Sequence, residues 1–215
     1  MIITRFLYPI IRAGLVPGLL LLCLSFSAQA KEHRILVLGD SISAAYGMSL
    51  EQGWVALMEA RLATDTSPVE VVNASISGET TAGGLRRLPA LLTLHEPTLV
   101  VIELGPNDGL RGYPLDRLRS NLQQLVTLSK DAGASVILVP MEIPPNYGSR
   151  YTAGFRDSFT DVAASTGAAL APFLMNGVAT DPEMMQADGL HPTVKAQPLM
   201  LQNILPTIKA VMSDQ

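Results

Sequence analysis

The stretch ILVLGDSIS at residues 35–43 decides the fold class. Its first four residues are apolar without interruption, as in a strand that is buried on both faces of a parallel sheet. Three more short apolar runs follow at residues 69–72, 99–104 and 136–139. Because all four runs are nearly continuous rather than alternating, we predict that they are strands of one parallel sheet.

Longer stretches with helical periodicity lie between these strands and after the last of them, at residues 50–63, 80–94, 115–132, 152–165 and 194–211. Alternating strands and helices form βαβ units, whose right-handed crossovers place helices on both faces of the sheet. The sequence therefore predicts a three-layer α/β/α fold with a doubly wound, mostly parallel sheet. Ligands bind such folds beyond the carboxyl ends of the strands. We expect Pro89 and Pro198 to start, kink or shorten their helices.

The first thirty residues have the layout of a secretory signal peptide. Two arginines precede an uncharged apolar stretch at residues 14–26, and small residues end it. The apolar stretch is too short to span a bilayer comfortably. We predict a signal peptide at residues 1–30, cleavage near Ala30, and a single domain at residues 31–215. The protein would then be periplasmic or secreted, without a stable membrane anchor.

The predicted signal peptide contains Cys23, which is the one cysteine of the chain. Acylation of Cys23 as in a lipoprotein is disfavoured, because Leu22 stands where that processing needs a small residue. Removal of the signal leaves no thiol, which excludes disulfide bonds, thiol catalysis and cysteine metal sites. The net charge of −4 argues against a surface that neutralises nucleic-acid phosphates, so no nucleic-acid partner is expected.

Ser41 directly follows the first predicted strand, at the edge where a doubly wound fold binds ligands. We expect it in a strand-to-helix turn, where the N–H groups of the helix N-terminus would favour the negative charge that develops when Oγ attacks a carbonyl. The alternative is that Ser41 or Ser43 only caps the helix. A nucleotide or flavin site is not expected, because Asp40 occupies the place of a phosphate and no glycine-rich phosphate motif is present.

His191 is the candidate general base. Of the other two histidines, His33 lies in a charged lead-in and His95 in a loop. Asp188 precedes His191 by three residues across a glycine-containing turn, so its carboxylate can accept a hydrogen bond from one ring nitrogen. The other nitrogen is then free to take a proton from a serine. The alternative is an ordinary loop histidine beside an aspartate.

Two further loops offer donors for an oxyanion. Gly78 follows the second predicted strand, and its N–H can approach a ligand closely because it has no side chain. Asn107 follows the third predicted strand, and its amide can donate to the same point. Each loop alone is better explained as a plain turn. Because the serine, both loops and the histidine motif follow in order and are expected on one edge of the sheet, a common site is favoured.

These motifs together resemble the four blocks of the SGNH, or GDSL, hydrolase family, and the match covers essentially the whole chain after residue 30: Gly39-Asp40-Ser41-Ile42, Gly78, Gly105-Pro106-Asn107-Asp108 and Asp188-Gly189-Leu190-His191. The resemblance implies a flavodoxin-like α/β/α fold and a monomeric serine hydrolase that cuts ester bonds without a metal or cofactor. Ser41 would be the nucleophile, His191 the general base and Asp188 its orienting partner. The oxyanion hole would consist of the N–H groups of Ser41 and Gly78 and the side chain of Asn107.

Further motifs at residues 145–151 and 185–192 resemble the bacterial branch of this family that contains acyl-CoA thioesterases, lysophospholipases and arylesterases. The chain departs from the family pattern at two positions. Ile42 replaces a leucine, a nearly isosteric change. Pro106 replaces a small residue, and we expect it to restrict Gly105 to extended conformations and to shift the loop of Asn107.

The loop after the fourth predicted strand is apolar and stiffened by prolines, which suits a wall for an acyl chain: Met141, Ile143, Pro144 and Pro145. The alternative is a loop that only covers the core. By analogy with the family we expect small-molecule acyl esters or thioesters as substrates. Two other functions stay open from the sequence, namely a carbohydrate O-deacetylase on the same fold and a periplasmic binding module without catalysis.

Overall fold

The computed structural model describes residue 2, residues 33–64 and residues 68–215. The predicted signal peptide, apart from residue 2, and its cleavage near Ala30 lie outside the described residues. Within the described residues, no helix combines the length and the apolar character needed to cross a membrane.

A five-stranded parallel sheet forms the centre of the fold, with the strand order β2-β1-β3-β4-β5. The four predicted strands are confirmed to within two residues at each end. A fifth strand was not predicted, because it is only two residues long and lies at the edge of the sheet. The strands are β1 (His33–Gly39), β2 (Val69–Asn73), β3 (Leu99–Glu103), β4 (Ser135–Leu138) and β5 (Ala169–Leu170).

The central strands β1 and β3 are the most deeply buried part of the sheet. Residues 36–38 and 99–102 are completely inaccessible to solvent, as expected of continuous apolar runs covered on both faces. Each such side chain contributes about 1.5–3 kcal/mol through burial. The strand β2 is only half buried, because it lies at the edge of the sheet. The core therefore fixes β1 and β3 side by side.

Helices cover both faces of the sheet, which confirms the predicted three-layer α/β/α fold. Helices α1 and α6 pack together on one face, and α2, α4 and α5 pack in a row on the other. All five predicted helices are present, the first and last each preceded by a short 3-10 turn. The helices are α1 (Trp54–Leu62), α2 (Thr81–His95), α3 (Pro106–Leu110), α4 (Leu115–Asp131), α5 (Ser149–Thr166) and α6 (Gln197–Ser213).

The two prolines noted in the sequence affect their helices differently. Pro198 lies in the first turn of α6, where its missing N–H has no helical partner to lose. Pro89 lies inside α2, which nevertheless continues to His95. Packing of α2 on the sheet therefore outweighs the local cost of the proline.

The order of the strands creates a topological switch point between β1 and β3. The chain leaves β1 for β2 on one side, and then crosses over so that β3 pairs with the other side of β1. Gly39 at the end of β1 is in register with Glu103 at the end of β3. The segments that follow these two residues therefore begin next to each other, at the crevice where doubly wound folds bind ligands.

Candidate active site

Ser41 lies in a turn after β1, and the prediction that it stands at a helix N-terminus is wrong. Residues 41–47 form consecutive turns, and α1 begins only at Trp54. A regular helix cannot continue here, because Ala45 and Gly47 have φ values of 55° and 78° in the left-handed region. The expected assistance from a helix dipole at Ser41 is therefore absent.

The carboxylate of Asp40 fixes the turn that presents Ser41. Asp40 is completely buried. Its Oδ1 accepts the N–H of Ile42 at 3.0 Å, and its Oδ2 accepts the side-chain amide of Asn107 at 3.0 Å. Burial raises the pKa of Asp40 to about 6, while these two hydrogen bonds act in the opposite direction. Asp40 thus ties the nucleophile turn to the segment after β3.

Glu103, the last residue of β3, holds the same turn through two hydrogen bonds, and the sequence analysis did not identify it. The Oε2 atom of this buried residue accepts the N–H of Asp40 at 3.3 Å and the hydroxyl of Ser43 at 2.7 Å. Burial, and then the neighbouring Asp40 carboxyl group, raise the pKa of Glu103 well above its ordinary value. The alternative that Ser43 caps a helix is also wrong, because the next α-helix begins only at Trp54 and Gly53 precedes it as the cap. One indication of this role was present in the sequence, namely that Glu103 is the single acidic residue within the apolar run at 99–104.

Asp188 and His191 form a compact turn of their own. The Oδ1 atom of Asp188 accepts the N–H groups of Leu190 at 2.9 Å and His191 at 3.0 Å, and its Oδ2 lies 2.6 Å from Nδ1 of His191. The hydrogen bond with the His191 ring, followed by those with the two backbone groups, lowers the pKa of Asp188 to about 2. The group is therefore an ionised carboxylate at neutral pH. Because an ionised carboxylate can only accept hydrogen bonds, the ring proton of His191 lies on Nδ1.

The other ring nitrogen of His191 reaches the serine. Nε2 lies 2.9 Å from Oγ of Ser41, although the two residues are 150 positions apart in the sequence. With the proton on Nδ1, Nε2 is the acceptor of the serine hydroxyl. The structure thus brings Ser41, His191 and Asp188 into one chain of hydrogen bonds, in the arrangement needed to activate a serine as a nucleophile.

Asn107 lies in the short helix α3, directly after β3, and lines the same cavity as Ser41. The expectation that Pro106 restricts Gly105 to extended conformations is wrong. Gly105 has φ 131° and ψ −34°, a conformation that only glycine adopts readily, and Pro106 starts α3. A Cβ atom on Gly105 would also lie 3.0 Å from the ring of Phe159. The close packing of this glycine against α5 sets the position of Asn107.

Gly78 lies in the loop between β2 and α2 and has a positive φ of 79°. Its carbonyl oxygen accepts a hydrogen bond of 3.1 Å from the Arg111 side chain. A Cβ atom at this position would meet no atom within 4 Å, so the residue faces open space. Unlike Asn107, Gly78 is not among the residues that line the cavity. Its role as an oxyanion donor stays a prediction.

A cavity of about 440 Å³ opens next to the side chains of Ser41 and His191. This volume lies in the range of small-molecule sites. All four side chains predicted to form an acyl-chain wall line it, namely Met141, Ile143, Pro144 and Pro145. Sequence reasoning missed several other apolar residues of the wall, which come from unconnected segments: Leu110, Phe173, Met175, Ala179, Met185 and Leu190.

Comparison with known proteins agrees with this arrangement. Residues 37–197 match the model of the GDSL-like Lipase/Acylhydrolase family. The chain is 50% identical to "Esterase TesA" of Pseudomonas aeruginosa over 94% of its own length and all of the relative. It is 49% identical to the "Arylesterase" of Vibrio mimicus, over 83% of this chain and 89% of the relative. It is 43% identical to "Thioesterase 1/protease 1/lysophospholipase L1" of Escherichia coli, over 86% and 87%.

Solved structures show the same likeness. The psychrotrophic esterase EstA from Pseudoalteromonas sp., in a structure inhibited by monoethylphosphonate, superposes with a TM-score of 0.81 at 48% identity, covering 84% of this chain and 99% of that one. Fold, site geometry and sequence similarity therefore lead to one conclusion. The chain belongs to the GDSL-like lipase/acylhydrolase, or SGNH, family and is a serine esterase.

Proposed function

We propose that this protein hydrolyses fatty-acyl esters and thioesters through an acyl-enzyme formed on Ser41. One observation carries the proposal. The hydroxyl of Ser41 lies 2.9 Å from Nε2 of His191, at the opening of a cavity of about 440 Å³ with mostly apolar walls. The nucleophile, its base and room for an acyl chain are thus in one place.

The reaction proceeds in two steps. His191 removes the hydroxyl proton as Oγ of Ser41 attacks the acyl carbonyl, and the leaving alcohol or thiol takes this proton when the tetrahedral intermediate collapses. Water, deprotonated by His191, then attacks the acyl-enzyme, and His191 returns that proton to Oγ of Ser41 as the bond to the acyl group breaks and the acid is released. The carboxylate of Asp188 stabilises the imidazolium that forms in each step, since its low pKa of about 2 keeps it ionised.

Three donors are assigned to the oxyanion: the N–H groups of Ser41 and Gly78 and the amide of Asn107. Within the described residues, neither of these N–H groups donates a hydrogen bond. Asn107 already donates to Asp40 at 3.0 Å. An amide nitrogen carries two hydrogens, so the second one can donate to the oxyanion while the first stays hydrogen-bonded to Asp40.

The choice of acyl substrates rests on the cavity and on the relatives. The walls of the cavity are mostly apolar, which favours an acyl chain over the hydroxyl groups of a sugar as the bound group. The relatives carry the names esterase, arylesterase, thioesterase and lysophospholipase. We carry these substrate classes over to this chain, together with the susceptibility to phosphonates that the EstA structure illustrates.

The cellular location belongs to the same proposal. The basic, apolar and small-residue order of residues 1–30 supports export, cleavage near Ala30 and a periplasmic or secreted single domain at residues 31–215. We expect that domain to be a monomer whose partners are small-molecule substrates. The N-terminal sequence of the secreted enzyme would test the cleavage site directly.

The deciding experiment replaces Ser41 with alanine. Ser41→Ala should abolish hydrolysis of octanoyl and palmitoyl esters and covalent labelling by a fluorophosphonate, with circular dichroism and melting temperature retained. Ser120→Ala, on the exposed side of α4, is the matched control and should keep both activities. Full activity of Ser41→Ala would refute the assignment. A preference for acetylated sugars over acyl chains would favour the deacetylase, and absence of both hydrolysis and labelling in the wild type would favour a binding module.

A further inference from the structure

Two loops from distant parts of the chain must meet for His191 to reach Ser41. We call residues 41–48 the nucleophile turn and residues 184–193 the histidine loop. The histidine loop is closed by its own backbone, because the N–H of Gln186 donates to the carbonyl of His191 and the N–H of Thr193 to that of Met184, each at 2.7 Å. These bonds fix the shape of the loop. They do not fix its distance from Ser41.

The side chain of Gln186 connects the two loops. Its Nε2 donates to the carbonyl of Tyr46 in the nucleophile turn at 2.8 Å and to the carbonyl of Pro192, next to His191, at 2.9 Å. Both hydrogens of the amide are therefore used. Between these two loops, all of whose residues are described, the other hydrogen bond is the contact of His191 with Ser41 itself.

Packing around this amide shows that its position is closely defined. A Cβ atom on Gly47 would lie 2.5 Å from Oε1 of Gln186, so the amide rests directly on the backbone of the nucleophile turn. The Tyr46 ring lies against the imidazole of His191, with ring centroids 4.3 Å apart. The residue whose carbonyl binds Gln186 therefore also covers one face of the base.

We propose that Gln186 is a positioning residue that holds His191 within hydrogen-bonding distance of Ser41 by bridging Tyr46 and Pro192. The inference rests on the proposed function, since it assigns Gln186 an effect only through His191. Gln186 does not touch the reacting atoms. A misplacement of about 1 Å in a catalytic group can cost about 100-fold in rate. The part of the wall formed by residues 141–145 does not depend on this bridge, whereas Met185 and Leu190 of the histidine loop also line the cavity. Loss of the bridge should therefore affect the chemical step more than substrate binding.

Two variants remove the bridge in different ways. Gln186→Met keeps the length of the side chain but has no hydrogen-bond donor. Gln186→Glu keeps the shape of the side chain but places an oxygen, which cannot donate, next to the carbonyl groups of Tyr46 and Pro192. Gln123→Glu is the matched control, because this exposed amide lies on α4 and contacts Ser165. We expect kcat for an octanoyl ester and the rate of fluorophosphonate labelling to fall about 10- to 100-fold in both Gln186 variants. KM should change by less than kcat, because only part of the cavity wall lies on the histidine loop, and the control should match the wild type.

A second background separates positioning from general stability. In a His191→Ala enzyme, Gln186→Met should change the residual activity by less than about twofold, because Gln186 acts through the missing imidazole. An equal loss in both backgrounds, or a wild-type kcat in both Gln186 variants, would overturn the inference. If Gln186→Met does not fold, Gln186→Glu carries the same comparison. Failure of the proposed function is distinct, because Ser41→Ala and His191→Ala would then themselves stay active.

Discussion

Replacing Asp188 with asparagine tests how the carboxylate controls the base. The Oδ1 atom of Asp188 accepts two backbone N–H groups, from Leu190 and His191, at 2.9 and 3.0 Å. An asparagine whose carbonyl oxygen takes this place keeps both bonds, so the turn should persist. Its amide nitrogen then faces Nδ1 of His191, where Oδ2 of Asp188 lies at 2.6 Å in the wild type.

The amide nitrogen can only donate, so Nδ1 must become the acceptor and the ring proton must move to Nε2. Nε2 then carries a hydrogen toward Ser41 and can no longer take the hydroxyl proton. For the equivalent exchange in another serine hydrolase the loss in kcat is about 10⁴-fold, and we expect about 10³- to 10⁴-fold here. Since KM reflects binding of the acyl chain to a wall that is unchanged, it should stay close to the wild-type value.

Asp188→Ala is the informative companion variant. It removes the two backbone acceptors as well as the partner of Nδ1, but it leaves the ring free to choose its tautomer. If the tautomer is the cause, Asp188→Asn should lose at least as much kcat as Asp188→Ala, although it keeps the turn better. Steady-state hydrolysis of an octanoyl ester and the melting temperature of each variant provide the measurements. If Asp188→Asn kept a nearly wild-type kcat while Asp188→Ala was inactive, this reasoning would be refuted. The carboxylate would then act only by holding the shape of the loop.

Two further predictions concern the groups around Ser41. Asn107→Ala should lower kcat about 10²- to 10³-fold, as expected for the loss of one oxyanion donor, and a change of less than about threefold in steady-state assays would assign the oxyanion to other groups. Glu103→Gln should flatten the dependence of stability on pH above about 6, where Asp40 has already ionised. The raised pKa of Glu103 means that the folded state holds a proton that the unfolded state has lost, so wild-type stability falls as pH rises toward the folded pKa. Urea unfolding of both proteins from pH 5 to 9 would give the same dependence of the unfolding free energy on pH if Glu103 were ionised in the folded state.

The parallel sheet explains why the sequence was informative about this site. Continuous apolar runs mark the buried strands, and parallel strands gather the residues after their carboxyl ends at one edge. Ser41 and Asn107 could therefore be placed together from the sequence. The conformations between these points could not, because the left-handed Ala45 and the packing of Gly105 on Phe159 depend on tertiary contacts. Glu103 was missed for the same reason, because its role depends on hydrogen bonds from Asp40 and Ser43, which lie on a neighbouring segment.

The nucleophile and the base are held by different kinds of structure. Ser41 follows a central strand, and the buried hydrogen bonds of Asp40 and Glu103 tie its turn to β3 and α3. His191 instead stands on a partly exposed loop, whose contacts with the nucleophile turn are its own bond to Ser41, the Gln186 amide and the Tyr46 ring. The histidine loop packs against the core through Met184 and Met185 but contributes no strand to the sheet, so the distance between base and nucleophile can change without unfolding the sheet. Substitutions of the residues that position His191, namely Gln186 and Asp188, should therefore act mainly on kcat, whereas substitutions of Asp40 and Glu103 should act on kcat and stability together.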